Sequence, residues 1–184
     1  MQEVKGGVLK SRLAFVEEHG GAEAVARVLA QLSPEDQAQL RALTPIGWYP
    51  FEVGKHLDEA IVKVLGAGRP DFFEELGAAS ATKNLSGPHK SFLAPGDPQR
   101  FLAMAPAIYS TYYRTGRREY QRVGDKEGLL TTHDAETFSK PDCHTVVGWY
   151  RRALEMCGCT DVKVIEEECR ALGGKVCRYR VSWA

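Results

Sequence analysis

PDCHTVVGWYRRALEMCGCTDVKVIEEECRALGGKVCRYRVSW, residues 141–183, decides how this chain folds. Its first part has helical spacing through Val147, Tyr150, Ala153 and Leu154, and then the period changes. DVKVIEEEC and KVCRYRVSW read as two strands joined through Gly173 and Gly174, so a hairpin follows the helix. All five cysteines of the chain fall here, at 143, 157, 159, 169 and 177.

Just upstream, REYQRV, GDKEG and LLTTH read as strand, turn and strand. Before Gly116 the texture is helical. SRLAFVEEHG places Leu13, Phe15 and Val16 on one side and stops at Gly20 and Gly21. AEAVARVLAQL repeats the pattern, and SPEDQAQLRAL opens with Ser33 as cap and Pro34 in the first helical position. TPIGWYPFE breaks the period and is expected to be an ordered loop with Trp48 and Tyr49 packed inward. FEVGKHLDEAIVKVLG, DFFEELGAASATKNL and DPQRFLAMAPAIYSTYYRTG supply three more helices, the last kinked at Pro106. The expected architecture is α+β: a helical amino-terminal half packed on a four-stranded antiparallel sheet, made of two hairpins with an intervening helix. Residues 1–184 are expected to form a single domain, with 1–116 the helical part and 117–184 the β/α part.

The balance of 24 basic against 24 acidic side chains lacks the positive footprint of a nucleic-acid binder. No apolar run approaches the ~20 residues of a membrane span, and the first residues lack the order of a secretory signal. A cytoplasmic protein with free or metal-bound thiols is therefore expected. The GAG at residues 66–68 has no following lysine, so no phosphate cradle is visible. The five histidines lack metalloprotease spacing, and His133 beside Asp134 would point to the opposite strand face. No enzyme chemistry is expected.

Cys143 stands at the helix start, and Cys169 and Cys177 stand on the two hairpin arms, so three thiols meet if helix start and hairpin are adjacent. A tetrahedral zinc favours thiolates and accepts one carboxylate oxygen where a fourth cysteine is missing; Glu166 is the candidate. Strand parity sets Glu166 and Cys169 on opposite faces unless the chain bulges around Glu167 and Glu168. Three consecutive glutamates would repel one another if unpaired, which a dication would relieve. Cys157 and Cys159 are rival ligands at the far end of the helix, ~20 Å away. The competing reading is that all these thiols are small buried side chains without metal.

The quoted stretch resembles the 4-vinyl-reductase domain, with Cys143, Gly148, Glu166, Cys169, Cys177 and Tyr179 matching its signature in order. That resemblance implies zinc on Cys143, Glu166, Cys169 and Cys177. The opening KGGVLKSRLAFVEEHGG is similar to the start of haem nitric-oxide/oxygen binding domains, which share their architecture with vesicle-tethering TRAPP subunits. The full order, with WYPFE, ELGAASA and IYSTYYRTG, is similar to a family abundant in myxobacteria. The haem relatives would need a histidine before the hairpins and a Tyr-x-Ser-x-Arg clamp; FLAMAPAIYSTYYRTG has neither, so no haem is expected. The resemblance implies a pocket between helices and sheet for a small apolar or aromatic ligand, lined here by Tyr109, Tyr112 and Tyr113. The function it implies is a cytosolic sensor or regulatory module with structural zinc, homodimeric or bound to a protein partner. The alternative is a scaffold like the tethering subunits, without a free pocket.

Overall fold

The computed structural model describes residues 2–135 and 139–184. A short strand β1 (Glu3–Lys5) leads into α1 (Gly6–Leu29), followed by α2 (Pro34–Arg41), β2 (Trp48–Pro50), α3 (Phe51–Val64) and α4 (Phe73–Ser86). Two short helices, α5 (Pro98–Ala103) and α6 (Ala105–Tyr112), precede the hairpin β3 (Arg117–Gly124) and β4 (Glu127–His133). Helix α7 (Lys140–Met156) and the hairpin β5 (Lys163–Glu168) and β6 (Cys177–Ser182) complete the chain. The four strands β3 to β6 form an antiparallel sheet in the order β3-β4-β6-β5, so the two hairpins join through β4 and β6. The α+β architecture expected from the sequence is the one observed.

Local signals explain the boundaries. The Ser33 hydroxyl accepts from the Asp36 amide, and the Ser139 hydroxyl accepts from the Asp142 amide, each occupying an N–H that a helix start leaves open. At Gly21 (φ 69°, ψ −175°) the helical geometry is broken, as the sequence implies, so α1 consists of two helical segments meeting at a kink there. The expected kink at Pro106 is a break at Met104, and the proline lies in the first turn of α6, where its missing N–H costs nothing. TPIGWYPFE differs from expectation. Trp48–Pro50 pairs antiparallel with Glu3–Lys5, and both rings are only half-buried. Trp48 is covered by cations instead, with Lys5 Nζ at 4.2 Å and the Arg114 guanidinium at 4.6 Å from its ring.

The buried side chains fall into two clusters. One gathers Leu9, Val16, Val28, Leu57 and Ile61 from α1 and α3 with Phe73 and Leu76 from the start of α4. The other gathers Ala81 and Leu85 from the end of α4 with Phe101, Ile108, Trp149, Tyr150 and Leu154, against Leu130, Tyr179 and Val181 of the sheet. Helix α4 thus belongs to both, and its backbone comes close to that of α7 where the two cross. A Cβ on Gly77 would fall 2.2 Å from the Thr145 carbonyl oxygen, and one on Gly148 would fall 1.9 Å from that of Glu74. Only glycine at both places lets the two backbones approach so closely. The crossing fixes α7, and with it the first turn that carries Cys143.

Among the described residues no helix is long and apolar enough to cross a membrane.

Candidate functional site

The three thiols converge. Cys143 lies in the first turn of α7, Cys169 follows β5, and Cys177 opens β6. Cys143 Sγ lies 3.8 Å from Cys169 Sγ and 3.9 Å from Cys177 Sγ, and the donor atoms of Cys143, Glu166, Cys169 and Cys177 all lie within 4.8 Å of one another. A tetrahedral zinc with Zn–S bonds of ~2.3 Å has S···S edges of ~3.8 Å, whereas a disulfide would need ~2.05 Å. The two separations from Cys143 match such edges, and all three thiols are free.

The parity objection is resolved by a bulge. Glu166 pairs with Tyr179 and Glu168 with Arg178, so Glu167 is an extra residue and the face of the strand changes after it. The three glutamates then part company. Glu167 pairs with Arg180, Glu168 accepts from the Lys175 and Val176 amides at 2.8 and 3.3 Å, and Glu166 Oε2 pairs with Lys140. Mutual repulsion therefore gives no support to a metal here, because each carboxylate already has its own partner. What remains is Glu166 Oε1, buried beside the thiols with no hydrogen-bond partner. An unpaired buried carboxylate oxygen is costly, and a cation at the thiol centre would satisfy it.

Protonation follows the geometry. Cys143 donates to Cys177, which pushes Cys143 up and, with help from the Arg170 amide at 3.4 Å, holds Cys177 down to about 7. Burial and the neighbouring Glu166 push Cys169 up. A metal would displace the remaining thiol protons and take all three sulfurs as thiolates. Cys157 and Cys159 lie at the other end of α7 and outside this cluster; Cys157 is buried and Cys159 half-exposed. His133 Nε2 faces Glu119 at 3.0 Å and Asp134 pairs with Arg117, so the two do not act together.

A second feature lies between α4, α6, α7 and the sheet. This cavity of about 60 Å³ is lined by Tyr109, Tyr112, Tyr113, Arg118, Trp149 and Tyr150, among others. The three tyrosines expected at a pocket all reach it, yet they differ. Tyr109 donates to the Thr115 carbonyl at 2.8 Å, and Tyr113 donates to Asp142 at 3.4 Å. The Tyr112 hydroxyl is buried without a partner. Trp149 and Tyr150 escaped the sequence reading because helical spacing makes them indistinguishable from ordinary core.

Two buried cations also escaped it. Arg12 of α1 is bonded to Asp58 of α3 and, at 2.9 Å, to Asp142 of α7, tying three helices together. Arg118 shares the inward face of β3, opposite Thr132, and its Nε and Nη2 donate to the Thr132 hydroxyl at 3.1 and 3.0 Å. Both sat in charged stretches that resemble solvated surface. Strand parity, which puts Arg118 on the same face as Tyr120, was the available signal.

The fold and these sites define a helix-and-sheet domain whose thiol centre joins helix α7 to the terminal hairpin. A family model described as a protein of unknown function, DUF2378, matches residues 86–184, and the chain belongs to that family. No curated protein matches it. Solved structures are similar along almost its whole length. An Fe(II) unliganded H-NOX protein from K. algicida gives a TM-score of 0.77 at 15% identity, covering 98% of this chain and 96% of that one. An Fe(II)NO H-NOX protein from S. oneidensis gives 0.76 at 12% identity, covering 98% and 99%. A structure described as probing heme distortion in the H-NOX family gives 0.72 at 14% identity, covering 97% and 94%. The fold is H-NOX-like, as the opening residues implied. The 4-vinyl-reductase and myxobacterial resemblances rest on sequence motifs alone.

These neighbours correct one expectation. Haem was excluded from the absence of a histidine and of a clamp motif in one stretch, but the chain shares its fold with haem-linked structures over nearly all of its length. Missing motifs therefore do not dispose of haem. The fit can be tested against the cavity itself. At about 60 Å³ it is below the ~300–1,000 Å³ of ordinary ligand pockets, and its lining contains tyrosines but no histidine. As packed, these side chains do not fit a tetrapyrrole.

Proposed function

We propose that this chain is a non-enzymatic, cytosolic small-molecule-binding sensor or regulatory module. A structural zinc on Cys143, Glu166, Cys169 and Cys177 would hold the start of α7 against the terminal hairpin, and the neighbouring cavity would receive the ligand. The observation that carries the reading is the convergence of four donor atoms within 4.8 Å, with an unpartnered Glu166 oxygen among them. Four protein ligands leave no open coordination position, which suits a structural ion rather than a catalytic one. The metal and the cavity share α7: Cys143 is one turn from Val146 and two from Tyr150, both of which line the cavity. A ligand that shifts α7 would thus be felt at the thiol centre.

Metal analysis tests the reading. One zinc per chain is expected in protein purified without chelator, falling to a small fraction in Cys169→Ser, with a lower Tm after chelation. Protein without stoichiometric metal and insensitive to chelation would remove the zinc. A scaffold like the tethering subunits is the second reading, and the small size of the cavity favours it. Displacement of Tm by small ligands separates the two, because a filled scaffold core would show none.

A further inference from the structure

Arg118 is only 8% exposed, and its charge has no carboxylate partner among the described residues. Its five N–H groups include two spent on a single hydroxyl, that of Thr132, and the guanidinium also lies beside the Tyr150 hydroxyl, so it has neutral acceptors and no charged one among the described residues. The rings of Tyr109 and Tyr150, at 5.1 and 5.6 Å, offer a weaker cation–π attraction. Buried charges are ordinarily paired, since desolvating one costs several kcal/mol. Asp142, which shares with Arg118 a neighbouring void of about 30 Å³, is already bonded to Arg12 and Tyr113.

The same cavity receives two further idle donors. The hydroxyls of Tyr112 and Tyr150 are buried with no acceptor for their protons among the described residues, and Tyr150 as a whole is 1% exposed. A guanidinium without a charged partner and two idle donors around one space are a receptor for an acceptor-only, negatively charged group. The rest of the lining is mixed: Val8, Ile108, Val146 and Trp149 give an apolar wall, and Arg12, Ser80, Asn84 and Thr145 add polar groups, Arg12 being committed to Asp58 and Asp142. Size narrows the class. About 60 Å³ is several times the ~10–15 Å³ that one water needs and well below the ~150 Å³ of a cavity that admits benzene. An occupant of a few heavy atoms fits.

We propose that this cavity is a site for a short-chain aliphatic monocarboxylate, its carboxylate held by Arg118 with Tyr112 and Tyr150 and its hydrocarbon packed on Ile108, Val146 and Trp149. This rests on the reading of the cavity as the ligand site and gives that ligand its chemical class. Arg118 on β3, Thr132 on β4 and Cys177 on β6 stand in one row across the sheet, so the bound charge lies beside the thiol centre.

The experiment is a titration of the metal-loaded full chain with sodium propionate, propionamide and 1-propanol at fixed ionic strength, followed by Tm and by the Arg118 Nε–H resonance. Propionate is expected to raise Tm and shift that resonance, and propionamide to bind at least about tenfold more weakly. Arg118→Gln should abolish the preference, but it alters a buried network. Tyr112→Phe removes a hydroxyl that makes no protein bond, so it keeps the fold and should weaken propionate about five- to tenfold; Tyr150→Phe, whose hydroxyl lies beside Arg118, should weaken it to a similar extent. If propionamide or propanol binds as well as propionate, the carboxylate assignment falls while the ligand cavity stands. If none of the three binds, both fall.

Discussion

Gly148→Ala is the most informative single change in the scaffold, because it adds one methyl group where two helix backbones touch. The new Cβ would lie 1.9 Å from the Glu74 carbonyl oxygen, 2.6 Å from its carbon and 2.7 Å from its Cα. None of these atoms can rotate away. Restoring ordinary contact of ~3.5 Å requires α4 and α7 to part by more than an ångström, which loosens the packing of Trp149 and Ala153 on Ala81 and Leu85. Overpacking of this kind costs about 1–3 kcal/mol, and the upper end applies where the obstacle is backbone. Replacing a helical glycine gives back about 1 kcal/mol. The net loss should be about 2 kcal/mol, or roughly 4–8 °C in Tm for a chain of this size. Gly124→Ala is the control, since its Cβ would meet only the Glu127 Cβ at 3.7 Å. Urea and thermal melts followed by circular dichroism measure both. If Gly148→Ala melts within 1 °C of the parent, the close crossing is wrong, and so is the argument that it positions the first turn of α7.

Arg12→Met should destabilise by about 3–5 kcal/mol by stranding Asp58 and Asp142. Burial already lifts the Asp58 carboxyl to about 7, so without Arg12 the fold must take up a proton. Parent and variant both hold that proton in the fold below about 7, so the loss should grow as pH rises from about 7 to about 9, and adding Asp58→Asn should flatten that slope in urea melts at the two pH values. In metal-free protein Cys177 titrates at about 7, below its ordinary value near 9, because Cys143 donates to it. A depressed acid contributes stability above pH 9 and loses it as pH falls through 7; the Tm gap between parent and Cys143→Ala should narrow over that window. Trp149→Leu trims a ring that fills the cavity, and hemin uptake per chain, read from the Soret band, should exceed that of the parent. Equal uptake would show that this ring is not what limits entry.

The sequence by itself determined most of the elements and their order, the paired strands Glu3–Lys5 and Trp48–Pro50 excepted. Periodicity, capping at Ser33 and the glycines around the last hairpin are local signals, set by a few neighbouring residues. It also set two conditions for the thiol centre: Cys143 meets the hairpin cysteines only if the helix start packs on the hairpin, and Glu166 joins them only if the chain bulges before Cys169, and the register shows that bulge. Tertiary structure decided what depends on partners distant in the chain. It gave each of the three glutamates a separate cation or amide, leaving one oxygen of Glu166 toward the sulfurs. It buried Arg12 and Arg118 out of charged stretches, and it turned Trp48 from an inward anchor into a ring beneath two cations. A side chain's charge is written in the sequence. Whether water, a carboxylate or a cavity faces that charge is fixed only when segments a hundred residues apart pack together.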